Sequence, residues 1–373
     1  MLAAVNQELK SFEDLARSFA VKELSKHRDV NDRYPFGPFW GDIVEKAYEV
    51  GLLGATLPEE CGGIGQGMGA LCVILQNISE IDASMASIIF TNAFAQEIIL
   101  QAGAKNVLVQ IGNSASGAGD MMIACPIYEN PALKETLVTA IKQGDKYILS
   151  GLVEFAVLGN IARHALIPAR MDGAQGYEFF LIDTTAAGVV KTEPIISLGL
   201  HACPAVDLKL KAVKATLIGD DKMGDKYFQT SSGIMSAGVA AMTSGVMKGS
   251  FTDALAYSQE RLQGGREIIN WSALRKILAD MAIQVKISEM AVSQAVQSLE
   301  SGDPNASLYC RAAALFLNDI AVNLTCDGIQ VFGGNGYMKD YGQEKRFRDA
   351  NQLRSMLGMA PMRKLSFIKD MLT

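Results

Sequence analysis

Three glycines lie within four positions near the C-terminal end of the chain: Gly333, Gly334 and Gly336. Because glycine has no Cβ atom, the backbone N–H groups of such a loop can approach a bulky anionic ligand to hydrogen-bonding distance. The same glycines would also suit a helix that ends in a glycine cap and a turn. The flanking residues must therefore decide between a ligand loop and a plain helix end.

The other reactive side chains do not gather at spacings that serve metal or thiol chemistry. The three histidines, His27, His164 and His201, lie far apart in the sequence. The cysteines form no CxxC motif, so we expect reduced core or loop residues and no metal site. The cysteines are Cys61, Cys72, Cys125, Cys203, Cys310 and Cys326.

Composition narrows the class of protein. The chain has 373 residues, 49% of them apolar, which suggests two or three domains with a sizeable core. Its net charge of −6 gives no electrostatic footprint for nucleic acid. Glu8 and Lys10 stand where a signal peptide needs an apolar run. No uninterrupted apolar segment approaches the roughly 20 residues of a membrane span. We expect a cytoplasmic globular protein.

The periodicity of apolar residues changes twice along the chain. Helical spacing dominates at first, short β-rich segments bounded by turns follow from about Ser114, and helices return from Tyr227. The sequence predicts an α+β protein with an N-terminal helical domain (1–114), a central β domain (115–226) and a C-terminal helical bundle (227–373). The predicted helices cover 2–25, 39–50, 68–81, 84–101, 231–261, 270–301, 305–331 and 353–372.

The glycine loop and its flanks carry a resemblance to a known family. Gln330-Val-Phe-Gly-Gly-Asn-Gly-Tyr337, followed by Arg348-Asp-Ala350, resembles the C-terminal signature of the acyl-CoA dehydrogenases. Pro58-Glu-Glu-Cys-Gly-Gly-Ile-Gly65 and Asp82-Ala-Ser84 resemble its N-terminal domain, although Asp82 also suits a helix N-cap. The resemblance spans essentially the whole chain. It implies that family's fold with a C-terminal four-helix bundle, an FAD cofactor, an acyl-CoA substrate, and an electron-transfer flavoprotein or similar acceptor.

The resemblance also implies that one subunit serves its neighbour's flavin. In the family, residues matching Gln330, Gly333 and Gly334 line the ADP part of a flavin held by the adjacent subunit, in a tetramer. Arg261 matches an arginine that reaches the flavin pyrophosphate, where a planar guanidinium suits phosphate oxygens. Arg261 would also suit a helix C-terminus as a plain cation. The family's phenylalanine near this arginine is here Gly264.

The catalytic positions depart from the family pattern. The family's base is the glutamate of a Glu-Gly-Thr motif, and here Leu357 and Met359 replace its glutamate and threonine. Some members carry the base on an earlier helix, at the position of Met235. Neither leucine nor methionine can abstract a proton, so no catalytic residue is assigned. We expect the nearby acids Asp349 and Glu344 to be structural ion-pair members.

The β domain departs as well. Tyr128-Glu-Asn-Pro-Ala-Leu-Lys134 stands near the family's Thr-Glu-Pro-x-Ala-Gly-Ser, whose hydroxyl groups bind the flavin of the same subunit. A second segment contacts the flavin in the family. There Phe155 keeps an aromatic side chain, whereas Val157 replaces a residue with a hydroxyl group.

The retained and altered positions form a pattern that three hypotheses could explain. The positions that serve a neighbour's flavin match the family, whereas those that serve the chain's own flavin and substrate do not. A subunit of a heteromeric acyl-CoA dehydrogenase, which completes the flavin pocket of a base-carrying partner, explains this asymmetry. A homo-oligomeric flavoprotein with an atypical base or another reaction is the first alternative. A non-enzymatic acyl-CoA-binding scaffold is the second.

Overall fold

The computed structural model describes residues 2–34, 36, 39–133, 136–144, 146–171 and 176–372, without the side chains of residues 2–6, 8, 27 and 29. Its α-helices are α1 (Leu2–Phe19), α2 (Arg28–Asn31), α3 (Val44–Glu49), α4 (Met68–Ser79), α5 (Ala83–Gln101), α6 (Lys105–Ser114), α7 (Ala118–Met121), α8 (Gly224–Glu260), α9 (Ser272–Glu300), α10 (Ala306–Phe332), α11 (Gln343–Leu353) and α12 (Ala360–Met371). Its strands are β1 (Ile123–Ala124), β2 (Val138–Gln143), β3 (Lys146–Val157), β4 (His164–Met171), β5 (Glu178–Asp183), β6 (Val189–Lys191), β7 (Ala205–Ile218), β8 (Leu262–Gln263) and β9 (Arg266–Glu267). This order confirms the predicted three-part α+β fold, whereas the exact domain boundaries stay predictions.

Helix α5 is the buried core helix of the N-terminal part. Asp82 caps its first turn, because its Oδ1 accepts a hydrogen bond of 2.8 Å from the backbone N–H of Ser84. Phe90 and Phe94 have no exposed surface. On α8, Gly238 faces Phe90 so closely that a Cβ atom would lie 3.1 Å from its ring. Small residues on α8 therefore let the N-terminal and C-terminal helices pack against each other.

The central strands close into a barrel-like ring. The pairings run β4–β2–β3–β7–β5 and return from β5 to β4. Most pairs are antiparallel, and β4 makes short parallel pairings with β1 and β2. The long β3–β7 pair contains register shifts between Leu149 and Gly151 and between Val153 and Ala156. Such bulges bend a strand strongly and so help a small sheet to close.

The C-terminal part is organised along α8, a helix of 37 residues. Polar groups buried at its contacts are paired: Thr243 Oγ1 donates to Asn318 Oδ1 on α10 at 2.8 Å, and the hydroxyl groups of Ser244 and Ser288 on α9 lie 2.7 Å apart. The prediction of one helix over 353–372 is wrong. Leu357 has φ +60° and Gly358 has φ +107°, which break the helix between α11 and α12.

A buried ion pair joins α11 to the N-terminal part. Lys345 Nζ lies 2.7 Å from Asp349 Oδ2 and 3.4 Å from Asp82 Oδ1, and none of these side chains is more than 5% exposed. Burial alone would lower the pKa of Lys345, but the charges of Asp349 and Asp82 hold that pKa above its usual value. Asp349 Oδ1 also accepts a 2.7 Å hydrogen bond from the backbone N–H of Leu200. The expectation that Asp349 is structural is confirmed.

A second ion network links α11 to the β region. Arg348 Nη2 lies 2.6 Å from Asp32 Oδ2, and its Nε donates to Glu344 Oε2. His201 Nδ1 lies 3.2 Å from Asp32 Oδ1. Glu344 is thus an ion-pair member, as expected. The hydrogen bond to Asp32 raises the pKa of His201 against the opposing effect of burial.

Two described segments, Ala83–Gln101 and Ala306–Tyr337, are long and apolar enough by composition to cross a membrane. The protein itself buries 89% of the apolar window in the first and 50% in the second. The composition of α5 is therefore explained by its place in the core.

Candidate functional site

The glycine loop (Gly333–Tyr337) owes its shape to two of its glycines. Gly333 ends α10 with φ +59° and ψ −134°, a conformation that residues with a side chain rarely adopt. At Gly336 a Cβ atom would lie 2.4 Å from the carbonyl oxygen of Ile329. At Gly333 and Gly334, by contrast, no atom lies within 4 Å of the Cβ position. The loop therefore packs through Gly336 and presents bare backbone through Gly333 and Gly334.

Tyr257, on α8, holds the glycine loop in place through its ring and its hydroxyl group. Its ring stacks on Phe332 with centroids 4.0 Å apart, and Tyr341 meets it edge-on at 6.1 Å. Asn335 Nδ2 donates a 3.0 Å hydrogen bond to the Tyr257 hydroxyl. The position of the loop is thus set by side chains from α8 and α10 together.

A surface depression of about 870 Å³ opens beside the loop; we call it the glycine-loop depression. It is lined by Tyr257, Arg261, Gln263, Gly264, Ile268, Trp271, Ala273, Leu274, Ile277, Gln330, Val331, Phe332, Gly333, Gly334 and Asn335. Four sequence-predicted residues thus meet in one place: Arg261, Gln330, Gly333 and Gly334. All four are exposed. Arg261 directly follows α8, and no described carboxylate pairs with its guanidinium.

Trp271 is a lining residue that the sequence reasoning missed. Gly264, with φ +64°, lies so close to the Trp271 indole that a Cβ atom would be 2.9 Å from the ring. The indole is 42% exposed, and the guanidinium of Arg266 lies 4.2 Å from its centroid. An aromatic surface is therefore present although Gly264 replaces the family's phenylalanine. The chain reverses at the β8–β9 turn, so the Trp271 indole lies beside Gly264. Matching single residues to the family pattern does not reveal this contact.

A second cavity, of about 230 Å³, lies at the start of α8 and α12; we call it the leucine pocket. It is lined by Tyr128, Glu129, Asn130, Leu133, Phe228, Gln229, Ser232, Ser236, Arg311, Leu357, Gly358, Met359, Met362, Arg363 and Ser366. The structure thus brings together Tyr128, Leu357 and Met359, three altered family positions. Burial raises the pKa of the Tyr128 phenol well above its usual value.

Leu357 holds the base position in a left-handed backbone conformation, with φ +60°. Its N–H donates a 2.7 Å hydrogen bond to the carbonyl of Ile127, and its side chain is 3% exposed. Such a conformation is uncommon for a residue with a branched side chain and is often found at functional sites. Met235 is buried in α8 and does not line the pocket. Glu129 is the acidic residue among the described lining residues, and the sequence reasoning did not consider it.

Phe155 and Val157 lie outside both described cavities. Phe155 sits at the β3 bulge with φ +52°, is 41% exposed, and its N–H donates to Asp207 Oδ1 at 3.0 Å. Val157 is fully buried and exchanges 3.1 Å backbone hydrogen bonds with Cys125. Lys134, the last residue of the Tyr128 segment, lies outside the described residues.

The two cavities lie at opposite ends of the same two helices. On α8, Ser236 lines the leucine pocket and Tyr257 lines the glycine-loop depression. On α10, Arg311 lines the leucine pocket and Gln330 lines the glycine-loop depression. At a rise of 1.5 Å per residue, each pair is about 30 Å apart along its helix.

The helical, barrel-like and helical order of the chain, with an open glycine loop at the end of α10, agrees with the family resemblance of the sequence. The model of the acyl-CoA dehydrogenase N-terminal domain matches residues 6–107, and that of the C-terminal domain matches residues 223–369. The chain belongs to the acyl-CoA dehydrogenase family.

Individual relatives and solved structures agree with this assignment. The chain is 26% identical over 360 residues to a cyclohex-1-ene-1-carbonyl-CoA dehydrogenase of Syntrophus aciditrophicus, covering 93% of this chain and 85% of the relative. It is 26% identical over 355 residues to subunit CarC of the caffeyl-CoA reductase–Etf complex of Acetobacterium woodii, covering 92% and 93%. Butyryl-CoA dehydrogenase from Megasphaera elsdenii superposes with a TM-score of 0.88 at 21% identity, covering 98% of each chain. That last likeness concerns the fold.

Proposed function

We propose that this chain is a subunit of an FAD-dependent acyl-CoA dehydrogenase and completes the flavin pocket of a base-carrying partner subunit. One observation carries the proposal. The glycine-loop depression keeps an open backbone and an uncommitted guanidinium, whereas Leu357 and Met235 occupy the positions of the family's base. The chain therefore retains what another subunit's flavin would need and lacks what its own substrate would need.

The residues of the glycine-loop depression fit the ADP half of FAD. Arg261 offers charge-assisted hydrogen bonds to a pyrophosphate, and Gly333 and Gly334 leave room for close backbone approach. The exposed indole of Trp271 adds a flat apolar surface. A bound flavin would supply the acceptor for the β-hydride of an acyl-CoA thioester. Arg261, Gly333 and Gly334 of this chain would bind and orient the ADP half of the flavin. The α-proton of the thioester would go to the partner's carboxylate.

We propose that like or unlike subunits assemble into a tetramer, as the family resemblance implies, and two features of the chain support an assembly. Because the two cavities of one chain are about 30 Å apart, they would serve different flavins, as two subunits sharing one flavin require. On α9, Ile283, Ile287 and Met290 are 56%, 45% and 70% exposed. Their i, i+4, i+7 spacing places them on one helical face, and exposed apolar faces mark interaction surfaces.

A relative supports a proposal about the electron acceptor. CarC is named as a subunit of a reductase–Etf complex. We therefore propose an electron-transfer flavoprotein or a similar carrier as the acceptor. The cytoplasmic location stays the prediction made from the sequence.

Glu129 supports a second candidate function. Glu129 lines the leucine pocket together with Leu357, and we propose it as the atypical base if the chain is a homo-oligomeric flavoprotein. The reaction would then need only this chain and its own flavin.

Flavin stoichiometry separates these functions. The chain should be expressed alone and together with a base-carrying acyl-CoA dehydrogenase encoded beside it, and flavin per polypeptide measured from the 450 nm band. We expect a colourless chain alone and a yellow mixed complex with less than one flavin per chain. A yellow lone chain whose turnover is abolished by Glu129→Gln would establish the second function. A chain that stays colourless in every combination would favour an acyl-CoA-binding scaffold.

A further inference from the structure

The leucine pocket contains a guanidinium, that of Arg363, with one buried nitrogen that the described residues leave without a hydrogen-bond partner. Arg363 Nη1 donates a 2.9 Å hydrogen bond to the carbonyl of Met356, but Nη2 is shielded from solvent and has no hydrogen-bond partner. No described carboxylate forms an ion pair with this side chain. A buried, charged donor without a hydrogen-bond partner destabilises the folded state. A bound anion would therefore stabilise the fold by accepting a hydrogen bond from Arg363.

The second arginine of the pocket is differently placed. Arg311 forms an ion pair with Asp370 through Nη1, and its Nη2 donates to Ser366 Oγ at 3.2 Å. Burial, followed by the like charge of Arg311, lowers the pKa of Arg363 to about 10. Glu129 contributes the opposing charge among the described lining residues. Arg311 is therefore matched by Asp370, whereas Arg363 Nη2 has no hydrogen-bond partner among the described residues.

The rest of the wall determines what kind of anion fits. Leu357, Met359, Met362 and Phe228 line the cavity with apolar surface. An inorganic anion would leave this surface unused, whereas a ligand with an anionic head and an aliphatic body would cover it. A cavity of roughly 150 Å³ holds a benzene-sized molecule, so about 230 Å³ admits a slightly larger one.

We propose that the leucine pocket binds a short aliphatic carboxylate, with its carboxyl group on Arg363 and its chain against Leu357, Met359 and Met362. The loss of the catalytic carboxylate makes such a site possible, since a glutamate at position 357 would repel an anion. The pocket is then a ligand site of its own rather than a vacant active site. This inference goes beyond the proposed function, since it concerns the chain's own pocket and not the partner's flavin.

Isothermal titration of the purified chain, or of the mixed complex, with hexanoate, hexan-1-ol and inorganic phosphate tests the site. We expect hexanoate to bind at least about tenfold more tightly than hexan-1-ol, because a hydrogen bond to a charged group contributes on this scale. Phosphate should not displace hexanoate. Equal affinity for hexanoate and hexan-1-ol, or displacement by phosphate, would overturn the proposal on the wild-type chain alone.

Two variants locate the carboxyl group. Arg363→Met removes the charge but keeps an apolar side chain of similar length, and it should weaken hexanoate binding about tenfold or more. Lys364→Met removes the neighbouring charge, which pairs with Asp319 outside the pocket, and should leave binding unchanged. Unaltered binding in a folded Arg363→Met variant would refute the assignment. Flavin content, read at 450 nm in the same samples, reports on the proposed function separately.

Discussion

The glycine-loop depression and the leucine pocket each contain an arginine, and the two arginines differ in exposure and in hydrogen bonding. At the first, Arg261 is exposed and its guanidinium has no carboxylate partner among the described residues. At the second, Arg363 is held against the backbone, with one nitrogen shielded and unpartnered. The first arrangement suits the phosphate groups of a large ligand, and the second suits the carboxyl group of a small one.

The two ends of α8 and α10 also differ in what their backbones present. At one end, Gly333 and the close contact at Gly336 shape the glycine loop. At the other end, Leu357 has a left-handed backbone, with φ +60°, and an apolar side chain that cannot abstract a proton. One end thus presents bare backbone to a ligand, whereas the other has no general base at position 357.

The largest expected effect concerns catalysis at the leucine pocket. A general base contributes about 10²–10⁴-fold to such a reaction, so the lone wild-type chain should show negligible dehydrogenation of saturated acyl-CoA thioesters with a dye as acceptor. Leu357→Glu should not create activity, because Met359 and Val157 also lack flavin-binding hydroxyl groups.

Leu357→Gln, a polar variant that cannot act as a base, is the matched control for that experiment, with circular dichroism to check folding. Turnover by the wild-type chain, or a hundredfold gain in Leu357→Glu alone, would mean that the leucine pocket already holds a flavin. The contrast between the two cavities would then be wrong.

The next effect concerns flavin affinity at the glycine-loop depression. Arg261→Ala in this subunit alone should weaken flavin binding by the mixed complex about 10–150-fold, since a hydrogen bond to a charged group contributes about 1.5–3 kcal/mol. Lys286→Ala on α9 removes an exposed positive charge outside the depression and should have no effect. Leu357→Ala should also leave the 450 nm band unchanged. If Arg261→Ala keeps all its flavin, Arg261 is only a helix-end cation.

A smaller effect should distinguish two glycines of the glycine loop, one important for stability and the other for flavin affinity. Gly336→Ala places a Cβ atom 2.4 Å from the Ile329 carbonyl oxygen, and overpacking of this kind typically destabilises by about 1–3 kcal/mol. Gly334→Ala meets no atom within 4 Å and should leave the free energy of unfolding unchanged while reducing flavin affinity. Urea denaturation and flavin titration of both variants measure the two quantities. Equal loss of stability in both would show that the loop serves folding alone.

The smallest effect is a pH dependence at a third place, remote from both cavities. The hydrogen bond to Asp32 raises the pKa of His201, so this pair stabilises the fold fully below about pH 6.5 and loses that contribution as pH rises through the raised pKa. The difference in unfolding free energy between wild type and His201→Gln should therefore shrink between pH 6 and pH 9. A constant difference would mean that protonation of His201 does not contribute.

The sequence predicted the order of the three parts because each part has its own periodicity, and it predicted the long helices of the C-terminal part. It failed at 353–372, where apolar spacing continues through Leu357 although the backbone there turns left-handed. It located Gln330, Gly333 and Gly334 through the resemblance of one motif to the family, and Arg261 through the resemblance of a second, separate segment. Trp271 was missed because only folding brings it beside the glycine loop. Glu129 and Arg363 lie close in sequence to Tyr128 and Leu357, but the sequence did not show that they share a pocket.

The length of α8 and α10 has a consequence for how such a chain can change by mutation. Substitutions more than about 7–10 Å apart, without shared partners, usually act independently on stability. Positions separated by about 30 Å along two rigid helices can therefore be altered one at a time. After a gene duplication, one copy can lose its acid at position 357 while its Arg261 surface stays serviceable to the other copy. Long helices of this kind make division of labour between sister subunits an accessible evolutionary step.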